Sequence, residues 1–222
     1  MNLIKDVPEG KHNICIRLSG GADSSIIYYA LCEKFAKNDN VNIVVVTLNT
    51  DKKPFYIPTA KKIINLVGEM TGKYPIEHIT ESIIHDNEKY TSVQEDLASN
   101  AWERYKFIHN YTGITKNPPE QDMKNFFIDN YKRFGLDLKE VLYHIDNRDK
   151  TRDEILFISN AAAVFPFGKT DKKEVAKAYN YYNMMDRLYP HTRSCEDFTD
   201  KVEHCGHCFF CAERMWGFNR LV

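Results

Sequence analysis

Residues 19–25 decide the fold, and they read Ser-Gly-Gly-Ala-Asp-Ser-Ser. The run before them, residues 13–18 (NICIRL), is apolar and predicts a short buried strand. After the loop, Ile27, Leu31 and Phe35 recur at four-residue spacing, which predicts a helix. Glycines let the backbone approach an anion closely, and a helix N-terminus favours negative charge. This strand, loop and helix therefore predict a phosphate-binding unit.

Alternating strands and helices follow this unit. Residues 41–48 (VNIVVVTL) form a β-branched run typical of a buried parallel strand. Residues 58–71 carry apolar side chains at helical spacing, and Gly72 follows them as a stop signal. The later predicted elements are a strand at 76–79, a helix at 93–109 and a strand at 111–115. The fold class predicted is α/β, with a doubly wound parallel sheet and ligands beyond the strand C-termini.

Composition limits the classes of protein to which the chain can belong. Its 222 residues are 43% hydrophobic and 27% charged, which predicts a folded globular protein. The formal net charge of -1 gives no basic surplus, so nucleic acid is not expected as a direct partner. We find no apolar stretch of membrane-spanning length and no signal-peptide core in residues 1–11. We therefore expect no membrane partner and a cytoplasmic location.

Four of the six cysteines lie close together near the C-terminus. They are Cys195, Cys205, Cys208 and Cys211. Four thiolates at such short spacings can surround one tetrahedral ion, which favours a structural zinc site. An iron–sulfur cluster could use the same thiolates, and two disulfides are a further alternative that a reducing compartment disfavours. His191, His204 and His207 lie nearby, and each could replace one cysteine as a ligand. Because four thiolates already complete the shell, we expect these histidines to be solvated or to lie around the ligands instead.

The loop at residues 19–25 resembles the SGGxDSS pattern of the PP-loop ATP pyrophosphatases, which split ATP between its α and β phosphates. The end of the chain resembles 7-cyano-7-deazaguanine synthases, through the string Ser194-Cys195, the CGHC-x2-C segment at 205–211, Arg214 and Gly217-Phe218. The stretch from Phe165-Pro166 to Lys172-Lys173-Glu174-Val175 also resembles that family. The resemblance implies an adenine nucleotide α-hydrolase-like domain at 1–190 and a zinc-binding knuckle at 191–222. Residues 118–152 are polar and predict an insertion or lid.

The resemblance also implies an activity. Family members adenylate the carboxylate of 7-carboxy-7-deazaguanine and use ammonia to form an amide and then a nitrile, for modified-nucleoside biosynthesis. ATP, Mg²⁺ and Zn²⁺ are the implied cofactors, and the implied partners are the deazapurine carboxylate, ammonia and a second copy in a homodimer.

The predicted site residues fall into three groups. Phosphates and magnesium would be held by Ser19, Gly20, Gly21, Asp23, Ser24 and Ser25, although Asp23 could instead only cap the helix. Lys172 and Arg214 match family positions and are the predicted catalytic cations, with a surface ion pair or support of the zinc tail as the alternative roles. Zinc would be held by the four cysteines named above.

The middle of the chain departs from the family. The expected substrate-facing strings are replaced at residues 49–54, 93–96 and 111–119. Three hypotheses therefore stay open. The chain could be a carbon–nitrogen ligase of the family's kind, another PP-loop enzyme such as a base thiolase or an amidating enzyme, or a nucleotide-binding relative without turnover.

Overall fold

The structure, a computed structural model, describes residues 1–51, 53–84, 87–154, 159–160, 162–195 and 204–222. Its strands are β1 (His12–Arg17), β2 (Val41–Thr50), β3 (Glu77–Ile83), β4 (His109–Thr112) and β5 (Ala163–Val164). Its helices are α1 (Ala22–Lys34), α2 (Tyr56–Thr71), α3 (Asn87–Tyr105), α4 (Glu120–Asn130), α5 (Leu138–Asp146), α6 (Thr151–Glu154), α7 (Lys172–Tyr181) and α8 (Phe209–Phe218), with a 3₁₀ turn at Tyr189–His191. None of these helices has the length and apolar character that crossing a bilayer requires.

The five strands form one parallel sheet in the order β3-β2-β1-β4-β5. The chain runs outward from β1 to β3 and then returns to β4 on the other side of β1. In open α/β sheets, ligands bind beyond the carboxyl ends of the strands at which this reversal occurs. The predicted α/β class and parallel sheet are confirmed, and the reversal places the expected ligand crevice between β1 and β4.

Helices cover both faces of the sheet because successive side chains of a strand point to opposite sides. Ile14 and Ile16 of β1 are fully buried in the large core that β1 and β2 form with α1, α2 and α7. Cys15 lies between them in sequence but belongs to a smaller cluster with Leu97 and Ala101 of α3. The sheet is therefore doubly wound, as predicted.

The predicted boundaries lie within two residues of the structure as far as α2, whereas β3 extends to Ile83 instead of 79 and α3 starts at Asn87 instead of 93. The helix expected to extend to residue 109 ends at Tyr105, and Lys106 takes a left-handed backbone with φ 46°. The strand expected at 111–115 is β4, which starts at His109, where His109 and Asn110 pair with Ile14 and Cys15 of β1. Because β4 begins with two polar residues, a search for apolar runs in the sequence does not find where it starts.

The segment at 118–152 contains α4, α5 and the start of α6. Phe127 of α4 and Val141 of α5 are fully buried and share a hydrophobic cluster with Cys195 and Cys211. α4 and α5 also pack against α8. Helices α4 and α5 and the cysteine-bearing tail thus share one small core beside the sheet.

Truncation of a sheet residue should destabilise the fold far more than the same change on the surface. Ile16→Ala removes a fully buried side chain, so we expect the free energy of unfolding to fall by about 2–5 kcal/mol. Ile84, which is 84% exposed, provides the matched control, and Ile84→Ala should change that energy by less than about 0.5 kcal/mol. Urea denaturation measures both. Equal losses would contradict the assignment of β1 to the centre of the sheet.

Candidate functional site

A cavity of about 540 Å³ lies beyond the carboxyl ends of β1 and β4, at the reversal of strand order. We call it the nucleotide cavity, after the ligand that the sequence predicts for the loop at 19–25. Its lining residues are Ser19, Gly21, Ala22, Asp23, Ser24, Tyr56, Gly113, Ile114, Thr115, Asp149, Thr151, Arg152, Lys172, Arg193, Ser194, Phe210 and Glu213. Its volume lies in the range of small-molecule sites. The glycine loop, the chain after β4, residues 149–152 and the tail all contribute to one site.

Two glycines allow the backbone to come close at the mouth of α1. Gly20 has φ +78°, and a Cβ there would lie 2.5 Å from Cγ2 of Thr59. A Cβ on Gly113, which follows β4, would lie 2.4 Å from the backbone nitrogen of Ser24. Side chains at either position would collide with fixed neighbours. Gly20 thus lets the loop pack against Thr59 of α2, and Gly113 lets the chain after β4 pack against the first turn of α1. The initial N–H groups of a helix have no helical partners.

The structure brings most of the predicted loop residues to the cavity. Ser19, Gly21, Asp23 and Ser24 line it, whereas Gly20 and Ser25 do not. The alternative role of Asp23 as a helix cap is wrong, because Gly21 is the N-cap and has no side-chain cap. The Asp23 carboxylate instead accepts hydrogen bonds from Lys172.

Four charged side chains form a continuous network across the cavity. Lys172 Nζ donates to both carboxylate oxygens of Asp23 at 2.8 Å. Glu213 Oε2 lies 3.6 Å from the same nitrogen, and Glu213 Oε1 accepts from Arg152 Nη2 at 2.8 Å. Lys172 and Glu213 are only 5% and 1% exposed. The network contains two cations and two carboxylates, so its charges are balanced. An anionic ligand would therefore have to displace a carboxylate from one of the two cations.

Arg214 does not line the nucleotide cavity, which corrects its prediction as a catalytic cation. Its side chain is fully buried, and its guanidinium donates to the carbonyl oxygens of Leu221 and Tyr189. It also donates to Thr192 Oγ1 at 2.9 Å and Ser194 Oγ at 3.3 Å. Burial lowers the pKa of Arg214. Arg214 therefore acts as a brace for residues 192–194, which agrees with the alternative role of supporting the tail.

The braced tail contacts the glycine loop directly. The backbone nitrogen of Arg193 donates to the carbonyl of Gly20 at 2.9 Å, and the backbone nitrogen of Ala22 donates to Ser194 Oγ at 3.5 Å. The Arg193 guanidinium carbon lies 3.7 Å from the ring centroid of Phe55. The residue after Ser194 is Cys195, so the cysteine cluster begins one residue from the contact with the loop.

The four tail cysteines converge. Their sulfur atoms all lie within 4.8 Å of one another. Sγ of Cys195 is 4.0 Å from Sγ of Cys208, and Sγ of Cys205 is 3.8 Å from Sγ of Cys211. Tetrahedral binding of one ion through Zn–S bonds of about 2.3 Å would place sulfurs about 3.8 Å apart. All four are free thiols, so the structure does not contain the two disulfides of the alternative interpretation. The cluster could hold a metal ion.

The other two cysteines do not have the environment of a reactive thiol. Cys15 and Cys32 are both fully buried, and neither lines the nucleotide cavity. Burial raises the pKa of each thiol to about 12. Because the thiolate is the nucleophile, both side chains act as packing residues at neutral pH.

Several residues of the site carry no role in the sequence-based prediction. Arg152 lies at the end of the segment interpreted as an insertion, and no pattern marks it. Glu213, Arg193 and Ser194 lie within or beside the motifs of the tail, but those motifs alone predict no role for them. Gly113 stands in a string that departs from the family. A search for charged residues next to the motifs would find Glu213 and Arg193.

Comparisons with known proteins find little similarity. No protein-family model matches the chain, and no curated protein matches it. Among solved structures, the chain is similar to the U34-tRNA thiolase NcsA from Methanococcus maripaludis, determined with its 4Fe-4S cluster. The identity is 17%, the match covers 98% of this chain and 73% of the thiolase chain, and the TM-score is 0.49. A similarity of this size assigns no activity.

Gly20→Ala should lower the free energy of unfolding more than Gly135→Ala does. Gly135 has φ +68°, and no atom of the described residues lies within 4 Å of the place that a Cβ would occupy, so Gly135→Ala carries only the left-handed backbone cost of about 1–2 kcal/mol. Gly20→Ala adds the collision with Thr59, for which we expect a further loss of about 1–3 kcal/mol. Urea denaturation of both variants measures the difference. Equal destabilisation would show that the loop is not packed against α2.

Proposed function

We propose that this chain is an ATP-dependent enzyme of the PP-loop type, which activates an acceptor by adenylation in the nucleotide cavity. One observation carries the proposal. The N-terminus of α1 follows the glycine loop and packs against Gly113 at the reversal of strand order, with Lys172 and Arg152 in the same cavity. Such a helix end binds phosphate through backbone N–H groups.

The residues present fit a magnesium-bound triphosphate. The α1 amides and the hydroxyls of Ser19 and Ser24 supply donors for phosphate oxygens. Mg²⁺ in nucleotide sites is held by one or two carboxylates together with phosphates, and Asp23 supplies such a carboxylate. Bound magnesium would neutralise triphosphate charge and polarise the α phosphorus.

The chemistry proposed is attack of an acceptor carboxylate oxygen on the α phosphorus. A new oxygen–phosphorus bond forms, the bond between the α phosphorus and the bridging oxygen breaks, and pyrophosphate leaves with the electron pair. Ammonia then attacks the acyl carbon, AMP leaves, and a proton is lost to give the amide. Such reactions depend on positioning and charge stabilisation more than on a strong base.

Each site residue has a role in this proposal. Lys172 is the cation that stabilises charge on the phosphates, and it exchanges its contact with Asp23 for one with the ligand. Arg152, which pairs with Glu213, is a second cation of the cavity, and we assign it to the acceptor. Arg214 is a positioning residue, because it acts through Thr192 and Ser194 on the loop.

For the acceptor we propose a 7-carboxy-7-deazaguanine-like carboxylate, supported by the motif at 19–25 and the tail. The amide would then be the first product, and a second ATP would be needed for a nitrile. A base thiolase with its own reactive cysteine is less well supported, since Cys15 and Cys32 are buried packing residues outside the cavity.

We also propose that the cysteine cluster holds one structural Zn²⁺. Its sulfur spacing suits a single ion, whereas a four-iron cluster binds each thiolate to a different iron atom and spreads the sulfurs. With four thiolates the shell is closed, so the metal's role would be to fix Cys195 and the adjoining contact between Ser194 and the loop.

Elemental analysis of purified protein should find one zinc per chain. Cys205→Ser should lose this zinc, because three thiolates remain. Cys15→Ser, a change at a buried cysteine outside the cluster, should keep it. Four irons per chain with visible absorption would contradict the zinc proposal and favour an iron–sulfur cluster.

Incubation with magnesium-ATP, ammonium and 7-carboxy-7-deazaguanine should release pyrophosphate and AMP and yield an amide or nitrile, as measured by mass spectrometry. Lys172→Met should reduce kcat/KM roughly hundredfold, because a preorganised cation is lost from the transition state. Lys177→Met is the matched control, since Lys177 lies on the same helix with a side chain 70% exposed and pairs with Glu174.

The possible results separate the hypotheses. Pyrophosphate release that Lys172→Met reduces roughly hundredfold and Lys177→Met preserves supports the ligase. Nucleotide binding without pyrophosphate release, with this acceptor and with other carboxylates, would instead identify a binding protein without turnover.

A further inference from the structure

A separate cavity of about 470 Å³ lies where α2 meets the C-terminal part of the chain. We call it the tail cavity. Thr59 and Lys62 of α2 contribute to its walls, as do residues 190–193 and His204. Among the described residues, Arg193 is the one that lines both the tail cavity and the nucleotide cavity. The tail cavity is therefore a distinct space that meets the proposed nucleotide site at a single side chain.

Positive charge predominates in the tail cavity. Its walls carry the ammonium group of Lys62 and the guanidinium group of Arg193, whereas no aspartate or glutamate of the described ranges lines it. Lys62 makes no ion pair within the part of the chain that the structure describes. The nucleotide cavity differs, because Lys172 and Arg152 are each paired there with a carboxylate. An anion entering the tail cavity would thus meet Lys62 without first displacing a described carboxylate side chain.

The imidazole of His191 lies within this positive field. Burial lowers the pKa of His191, and the nearby ammonium group of Lys62 lowers it further. A like charge close to a titratable group disfavours its charged form, so the ring is neutral at pH 7. A neutral imidazole still carries one N–H, which can donate a hydrogen bond to an anion. His191 therefore adds a donor beside Lys62.

Arg193 supplies a guanidinium group in a fixed orientation. The residue is only 5% exposed, and its guanidinium carbon lies 3.7 Å from the ring centroid of Phe55. Its backbone nitrogen donates to the carbonyl of Gly20 at 2.9 Å, which holds the main chain in place as well. A stacked guanidinium directs its N–H groups outward from its edge, and this planar set of donors suits phosphate oxygens.

The other walls of the tail cavity would strengthen the attraction of an anion. The side chains of Pro190, Leu221 and Val222 are apolar. His204 Nε2 donates to the carbonyl of Thr192 at 3.3 Å, which fixes this ring as part of the wall. Opposite charges attract each other more strongly where apolar groups replace water.

We infer that the tail cavity is a second anion site, which binds an inorganic oligophosphate among Lys62, His191 and Arg193. This site is separate from the phosphate positions proposed for the nucleotide cavity, and the inference does not depend on the proposed reaction. The bound anion would join α2 to the tail. Both of these elements contact Gly20, through Thr59 and through the backbone of Arg193. Occupancy of the tail cavity would therefore stabilise the contact between the tail and the glycine loop.

Proton NMR of the histidine rings tests the inference in the full chain, with inorganic pyrophosphate as the probe. His191 lines the tail cavity and not the nucleotide cavity, so its ring resonances, assigned through His191→Gln, report this site alone. Titration at constant pH and ionic strength should shift them until they saturate. The resonances of His12, at the amino end of β1, should not move. Inorganic phosphate, which carries less charge, should require a higher concentration.

Two charge reversals on α2 provide the matched comparison. Lys62→Glu replaces attraction by repulsion, so we expect the pyrophosphate concentration at half-saturation of the His191 shift to rise by roughly tenfold or more. Lys61→Glu makes the same change at the neighbouring exposed residue, which does not line the cavity, and should alter that concentration by less than about twofold.

Two results would overturn the inference. One is a wild-type chain whose His191 resonances show no saturable shift with pyrophosphate. The other is a shift that Lys62→Glu leaves unchanged, or that Lys61→Glu weakens equally, because the anion would then bind elsewhere or respond only to the overall charge of the protein.

Discussion

The ion pair between Asp23 and Lys172 is the interaction on which the site depends. It joins the first turn of α1 to the start of α7 across 149 residues of sequence. The two side chains are only 13% and 6% exposed, so each charge has lost most of its hydration. Symmetric contacts of 2.8 Å to both oxygens offset that cost, and removal of one partner would leave a nearly buried charge.

The packing of the last helices serves this ion pair. A Cβ on Gly217 of α8 would lie 2.7 Å from Cβ and Cγ of Lys172, so glycine is needed for α8 to lie against the lysine stem. Tyr179 of α7 donates through its hydroxyl to the carbonyl of Ala22 at 2.9 Å, which fixes α7 against the start of α1 as well. Glu213, on α8, then adds the second carboxylate beside Lys172. Three elements distant in sequence thus set the position of one ammonium group.

The sequence predicts the elements whose structure follows from a local pattern of residues. It does not predict features that depend on contacts between distant parts of the chain. The strand at 13–18, the loop and α1 follow from apolar spacing and glycine chemistry, and the structure agrees. The start of β4 is hidden because its register with β1, rather than its own polar residues, makes it a strand. The motif alone predicts a catalytic Arg214. Only the packed structure shows that its guanidinium donates hydrogen bonds to Tyr189, Thr192 and Leu221. Arg152 carries no local signal, since its significance comes from Glu213 and Thr115.

The contact of residues 192–194 with the glycine loop has a consequence for biosynthesis of the protein. Domains emerge from the ribosome N-terminus first, and the loop at 19–25 leaves it long before Arg193 does. Strands β1 to β4 can pair at that stage, but the carbonyl of Gly20 still lacks the backbone donor of Arg193. The proposed nucleotide site is therefore completed late in translation, after strands β1 to β4 have been synthesised.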